Sequence, residues 1–149
     1  MTPSFPASRS HRPAPATTAA RLGAPAVVAA GVLAATAVLH VRDPHASGSY
    51  GFCPWLALTG TYCPGCGGLR AVHDLTDADL AAAVSSNLLV VALVPVAVLL
   101  WAWWAHARWR GRLLRPTAAL TRPAVWTLGT AVALFTLLRN LEPAAWLAP

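Results

Sequence analysis

The chain has no lysine. Its eleven basic residues are all arginine, set against five acids, for a net charge of +6. Charge of either sign is scarce, 11% of residues against about 25% in an average soluble domain. That shortage disfavours a soluble globular domain, whose wet surface needs more charge. It also disfavours a nucleic-acid module, despite a pI near 10.6. Such a module presents its basic face on a folded polar part, and no segment here is long and polar enough. Most of the arginines sit in short stretches flanking apolar runs, where positive charge sets membrane orientation. Cysteine is scarce too, with three in 149 residues. The odd count allows at most one intrachain disulfide and leaves one thiol free or paired with a partner.

Apolar sequence is what the chain has in quantity: 56% hydrophobic residues and a mean hydropathy of +0.54. The predicted fold class is an all-α membrane protein, with three transmembrane helices and a short interfacial helix. Residues 1–20, rich in Pro, Ser, Thr and Ala, read as a disordered basic tail. Residues 21–149 read as the membrane domain, with spans over about 22–41, 80–105 and 124–141 and a cysteine loop over 42–79. At 1.5 Å per residue the first run covers roughly 30 Å, a bilayer core. A cleaved signal peptide is its rival, because Ala35-Thr36-Ala37 resembles a cleavage site, but the run is longer than a usual signal core.

Within the second run, Pro95 predicts a kink, and Trp101, Trp103 and Trp104 form an aromatic belt at its end. Trp126 and Trp146 bracket the third run as interface anchors. Gly31 with Ala35, and Gly129 with Ala133, have the small-xxx-small spacing that lets helices approach closely. Arg139 is expected to snorkel to the interface and pair with Glu142. The alternative is a functional intramembrane charge.

Arginine also predicts orientation. The stretch 106–122 carries five arginines and no acid, and the N-terminal flank carries three more. The stretch 42–79 carries only Arg42 and Arg70, beside four aspartates. Positive charge stays inside, so the N-terminus and the arginine loop are expected in the cytoplasm and the cysteine loop outside. Loss of the first run as a signal peptide would not move that loop.

The loop contains Cys53-Pro54 and Cys63-Pro64-Gly65-Cys66-Gly67, with all three cysteines inside fourteen residues. An outside location is oxidising, so a disulfide can persist. Proline is favoured at a helix's first position, so a helix over about 64–75 is expected with Cys63 as its N-cap. Arg70 would lie one turn below Cys66. Helix N-terminal amides and a nearby arginine favour a thiolate, which makes Cys63 the candidate reactive cysteine. Gly65, Gly67 and Gly68 leave room around the sulfurs for a backbone or ligand. A helical cap is expected at Thr76, ahead of Asp79.

Haem attachment would need His after the second cysteine, where Gly67 stands. A zinc site needs four ligands, for which Cys53, Cys63, Cys66 and His73 are the candidates. His73 lies two turns beyond Cys66, and the simpler reading is an interfacial histidine with no ligand role.

These residues also match a known pattern. Cys53-Pro54, Leu58-Thr59-Gly60, Cys63-Pro64-Gly65-Cys66-Gly67 and Arg70-Ala71 resemble a family of small bacterial integral membrane proteins of unknown function. The resemblance covers about 52–88 and implies a multi-pass protein of the bacterial cell membrane. It supplies no reaction, substrate or cofactor. Leu69 replaces the family's usual threonine, and Leu88 follows Asn87 where the family has proline.

Three functions remain open. The favoured one is a non-enzymatic accessory or structural membrane subunit, since no acid–base constellation accompanies the thiols. Its loop would cap the bundle. Its partners would be the bilayer and a second copy or a larger membrane protein, and not nucleic acid. The second is a thiol–disulfide relay in which Cys63 attacks, Cys66 resolves and Cys53 passes electrons on. The third is a metal-binding protein using the three thiolates.

Overall fold

Five helices make up the described chain, in a computed structural model that describes residues 17–46, 48–112, 118–142 and 147. They are α1 (Thr18–Val41), α2 (Pro54–Thr59), α3 (Gly68–Thr76), α4 (Leu80–Trp109) and α5 (Ala118–Leu138). The described residues adopt the all-α class expected from sequence. Helices Thr18–Val41, Leu80–Trp109 and Thr121–Leu138 are long and apolar enough to cross a membrane. Their large apolar side chains point outward, as at Val32, Leu99 and Leu137. Hydrocarbon is as apolar as leucine, so such a surface costs nothing in lipid.

Helix α1 begins before the expected span. Thr17 caps it by accepting from the Ala20 amide, so the last residues assigned to the tail form its first turn. Residues 1–16, Arg115 and Trp146 lie outside the described residues. Pro25 inside α1 has no N–H for the Arg21 carbonyl one turn back. Arg108 Nε from the end of α4 donates to that carbonyl at 2.9 Å. Trp101 Nε1 donates to the Pro25 carbonyl at 3.2 Å. The start of α1 and the end of α4 are thereby tied together, and the arginine-rich connector leaves from this end.

Helices α1, α3 and α4 pack on one another. Helix α3 begins at Gly68 rather than Pro64, and its N-cap is Gly67 at φ +76°. That left-handed value favours glycine. The Cys63-Pro64 start expected from sequence is therefore a turn. A Cβ at Gly68 would lie 3.3 Å from Val90 Cγ2, so glycine lets α3 approach α4 closely. The cap of α4 is Asp79, which accepts from the Ala82 amide at 2.9 Å, and not Thr76.

The break in α4 also falls elsewhere than expected. The backbone leaves helical values at Asn87 (φ −164°, ψ 96°) and not at Pro95. Asn87 Oδ1 accepts from the Val90 amide at 3.0 Å, which is the geometry of a fresh N-cap. Helix α4 is thus a short arm ending at Ser86 and a long span starting at Leu88. The break needs no proline at Leu88, because the asparagine side chain supplies the cap. Gly31 and Gly129 have open space beside them, so the small-residue pairs are unused within the described chain.

Candidate functional site: a three-cysteine centre

The three sulfurs meet. Cys63 Sγ and Cys66 Sγ are 2.9 Å apart, and Cys53 Sγ lies 3.6 Å from Cys63 Sγ and 3.4 Å from Cys66 Sγ. All three cysteines are free, with Cys66 buried. The Cys63 amide donates to Cys66 Sγ at 3.3 Å. The turn closes by a Cys66 amide to Cys63 carbonyl bond at 3.2 Å. Cys53 arrives from a separate stretch as the N-cap of α2, with Pro54 at the first helical position. The proline helix start expected at Cys63-Pro64 is realised at Cys53-Pro54.

The two stretches differ in electrostatics. The Leu56 amide, then Cys66, lower the Cys53 pKa below its ordinary 9.0. Burial above all pushes the Cys66 thiol up to about 12, and its bond to Cys63 adds to the rise. Of these two, Cys53 is the more acidic thiol.

Polar side chains from the spans hold this loop. Asn87 Nδ2 donates to the Pro64 and Cys66 carbonyls, both at 2.9 Å. Arg139 Nη1 donates to the Cys63 carbonyl at 2.9 Å and Nη2 to the Cys66 carbonyl at 3.2 Å. Asn140 grips Tyr62 twice, accepting from its amide at 2.7 Å and donating to its carbonyl at 2.9 Å. Irregular backbone near a bilayer has to find its hydrogen bonds within the protein, and these three side chains supply them. The Cys66 carbonyl takes one donor from α4 and one from beyond α5, filling both lone pairs.

Arg139 corrects the sequence reading most sharply. It is 1% exposed and does not pair with Glu142. Its guanidinium lies against the Tyr62 and Phe135 rings, 5.8 and 4.9 Å from their centroids. Among the described residues no carboxylate pairs with it, and its buried Nε has no hydrogen-bond partner. Burial above all works against its charge, and the nearby Cys66 and Cys63 sulfurs and Tyr62 hydroxyl act in its favour. A buried cation without a counter-charge is costly.

The other predicted site residues divide. Pro64 gives its carbonyl to Asn87, and Gly65, Gly67 and Arg70 line a cleft of about 530 Å³ that opens onto the three cysteines. Arg70 Nε donates to the Pro44 carbonyl at 3.5 Å; the cation beside the sulfurs is Arg139. His73 does not join the sulfurs and belongs to a separate cluster with Asp43 and His45.

Sequence reasoning missed the locking roles of Asn87, Arg139 and Asn140. The signal was present at two of them: an amide and a guanidinium in or beside apolar runs, where polar groups are rare and face the protein interior.

Three ligands at 2.3 Å from one metal ion lie about 3.8 Å apart in tetrahedral geometry. Cys53 stands near that distance from both partners. The Cys63–Cys66 pair is closer, yet far beyond the roughly 2.05 Å of a disulfide. Small sulfur movements would therefore form either a thiolate metal site or a bridge.

Neither a curated protein nor a solved structure matches the chain. Residues 53–101, which run from the first cysteine through the Asn87 break into the long span, match the family model described as Protein of unknown function (DUF2752).

Proposed function

We propose that this protein is a small multi-pass membrane subunit whose outward-facing cap binds one soft metal ion through Cys53, Cys63 and Cys66. The convergence of three free sulfurs from two separate stretches, within 3.6 Å of one another, carries this reading. Thiolates select soft ions. A three-sulfur set suits Cu(I) better than Zn2+, which takes a fourth ligand. Arg139 supports it from below, since three thiolates on one monovalent ion leave an anionic centre for a buried guanidinium to neutralise. The cap faces away from the cytoplasm because the arginines gather at the opposite end of the bundle. The cleft beside the sulfurs admits a partner or small ligand to the ion.

The acidity difference between Cys53 and Cys66 favours a second reading, thiol–disulfide exchange. In that reading the Cys53 thiolate attacks a substrate disulfide, forming a mixed disulfide and releasing one substrate thiolate. A second cysteine of the cluster then attacks Cys53 Sγ, closing an intrachain disulfide and releasing the other substrate thiolate. The substrate is thus reduced as the cysteine pair is oxidised.

The test is metal content and thiol count on detergent-solubilised protein, with and without reductant and chelator. A metal site gives one ion per chain and three thiols shielded until chelator is added, with the ion lost in any single Cys→Ser variant. One free thiol and no metal would instead mean a disulfide and would sink the metal reading. An impermeant thiol reagent applied to intact cells after chelation reports the side. Labelling only after lysis would overturn the outward orientation.

A further inference from the structure

A second group of ligating side chains lies on the same end of the bundle, in the junction between α1, α3 and α4, apart from the sulfurs. His73 on α3 sets its character. His73 Nδ1 lies 2.9 Å from the Leu39 carbonyl. A carbonyl only accepts, so this nitrogen carries the proton and a neutral ring leaves Nε2 as an acceptor. Yet Nε2 faces two more acceptors, Asp77 Oδ2 at 3.5 Å and Asp43 Oδ1 at 3.7 Å. Three lone-pair groups turned on one another repel unless a proton or a metal cation sits between them.

These distances exceed the roughly 2.7–2.9 Å of a charge-assisted hydrogen bond. They are close to the separation of about 3.4 Å between two ligands held 2.1 Å from a tetrahedral metal ion.

His45 completes the group. One nitrogen of His45 and one oxygen of Asp43 lie with a His73 nitrogen inside a single 4.8 Å cluster. The opposite side of the His45 ring is backed by a buried carboxylate, with Nε2 3.4 Å from Asp74 Oδ1. Ser86 Oγ donates to Asp74 Oδ2 at 2.8 Å and fixes it. His73 thus has an acceptor behind it, Leu39 O, while His45 lies between two carboxylates, with Nδ1 3.0 Å from Asp43 Oδ1 and Nε2 3.4 Å from Asp74 Oδ1. A backing acceptor such as Leu39 O orients metal-ligating histidines. The His45 amide donates to Asp43 Oδ1 at 2.7 Å and holds that carboxylate in place.

We propose that Asp43, His45 and His73 form a second metal site, for a borderline divalent cation such as Zn2+, with Asp77 or water as the fourth ligand. Two imidazoles and a carboxylate suit Zn2+ and not the soft ion assigned to the sulfurs. The site does not depend on the three-cysteine reading.

Co2+ serves as the probe, on the full chain in detergent with its thiols first blocked by alkylation. Expected is one equivalent of bound Co2+ with d–d bands, no sulfur-to-metal charge-transfer band, and displacement by Zn2+. Asp43→Asn or His45→Gln weakens binding about tenfold or more. Both positions are exposed, so neither change threatens the fold. Failure of the alkylated protein to bind Co2+, or unchanged binding in both variants, overturns the proposal. So does a 15N-histidine spectrum that shows His73 as an imidazolium while Co2+ is present and unbound.

Discussion

Replacing Asn87 with alanine should release the cysteine loop without removing a sulfur. Asn87 is fully buried and makes three hydrogen bonds. The Cys66 carbonyl keeps its second donor from Arg139, so its loss is partial. The Pro64 carbonyl keeps none, which costs about 1–3 kcal/mol for a buried acceptor. The Val90 amide loses its cap, which costs about 1 kcal/mol. Together the loop loses about 2–4 kcal/mol, and at 1.4 kcal/mol per tenfold its opening equilibrium rises roughly 30- to 700-fold.

The readout is alkylation of buried Cys66 in metal-free, reduced protein, under conditions where local opening precedes reaction. Helicity and thermal unfolding, followed in parallel, report the bundle. Asn87→Asp refines the test. It keeps the cap but sets an acceptor against two carbonyls, so at neutral pH it should expose Cys66 at least as much as alanine does. Cys66 protection unchanged in Asn87→Ala would refute the lock. An equal loss of bundle helicity would show instead that Asn87 supports the whole fold.

Other outcomes follow from the same geometry. Arg139→Met should lower the affinity of the three-cysteine centre for Cu(I) by about tenfold or more, since an anionic centre loses its counter-charge. Arg139→Lys, which keeps the charge without the fork, should fall between methionine and wild type in a competition titration. In metal-free protein, Cys53 should react with alkylating agents at a lower pH than a free thiol, because the Leu56 amide lowers its pKa. Cys66 should react more slowly than Cys53 at the same pH and speed up as the pH rises, because burial raises its pKa. The folded Cys66 holds its proton more tightly than the unfolded chain. Its contribution to stability is therefore complete below the ordinary 9.0 and is lost as pH rises from there through about 12. A denaturation midpoint that climbs across that interval would contradict the assignment. Gly67→Ala should destabilise the start of α3 by about 1 kcal/mol through strain at φ +76°, read as increased alkylation of neighbouring Cys66.

By itself the sequence determined the solvent this protein meets. Three apolar runs of eighteen residues or more leave few other folds open, because their backbone polar groups must pair within each helix. It also determined that two cysteines share a tight Pro-Gly turn, since their spacing is local. Proline alone misplaces the break in α4 and the start of α3. At both sites a side chain or a glycine decided the cap: Asn87 oxygen in one, a left-handed Gly67 in the other.

Only the tertiary structure decided where the polar residues of the spans go. Arg139 and Asn140 reach a turn more than seventy residues earlier. From sequence, the nearest partner for Arg139 was Glu142, one turn away. Folding prefers the distant partner because free carbonyls in the turn near the bilayer need donors, whereas Glu142 is exposed and needs none. In the same way, proximity along the chain groups His73 with the cysteines. Packing of α3 against α1 and α4 turned it instead toward Leu39, Asp43 and Asp77.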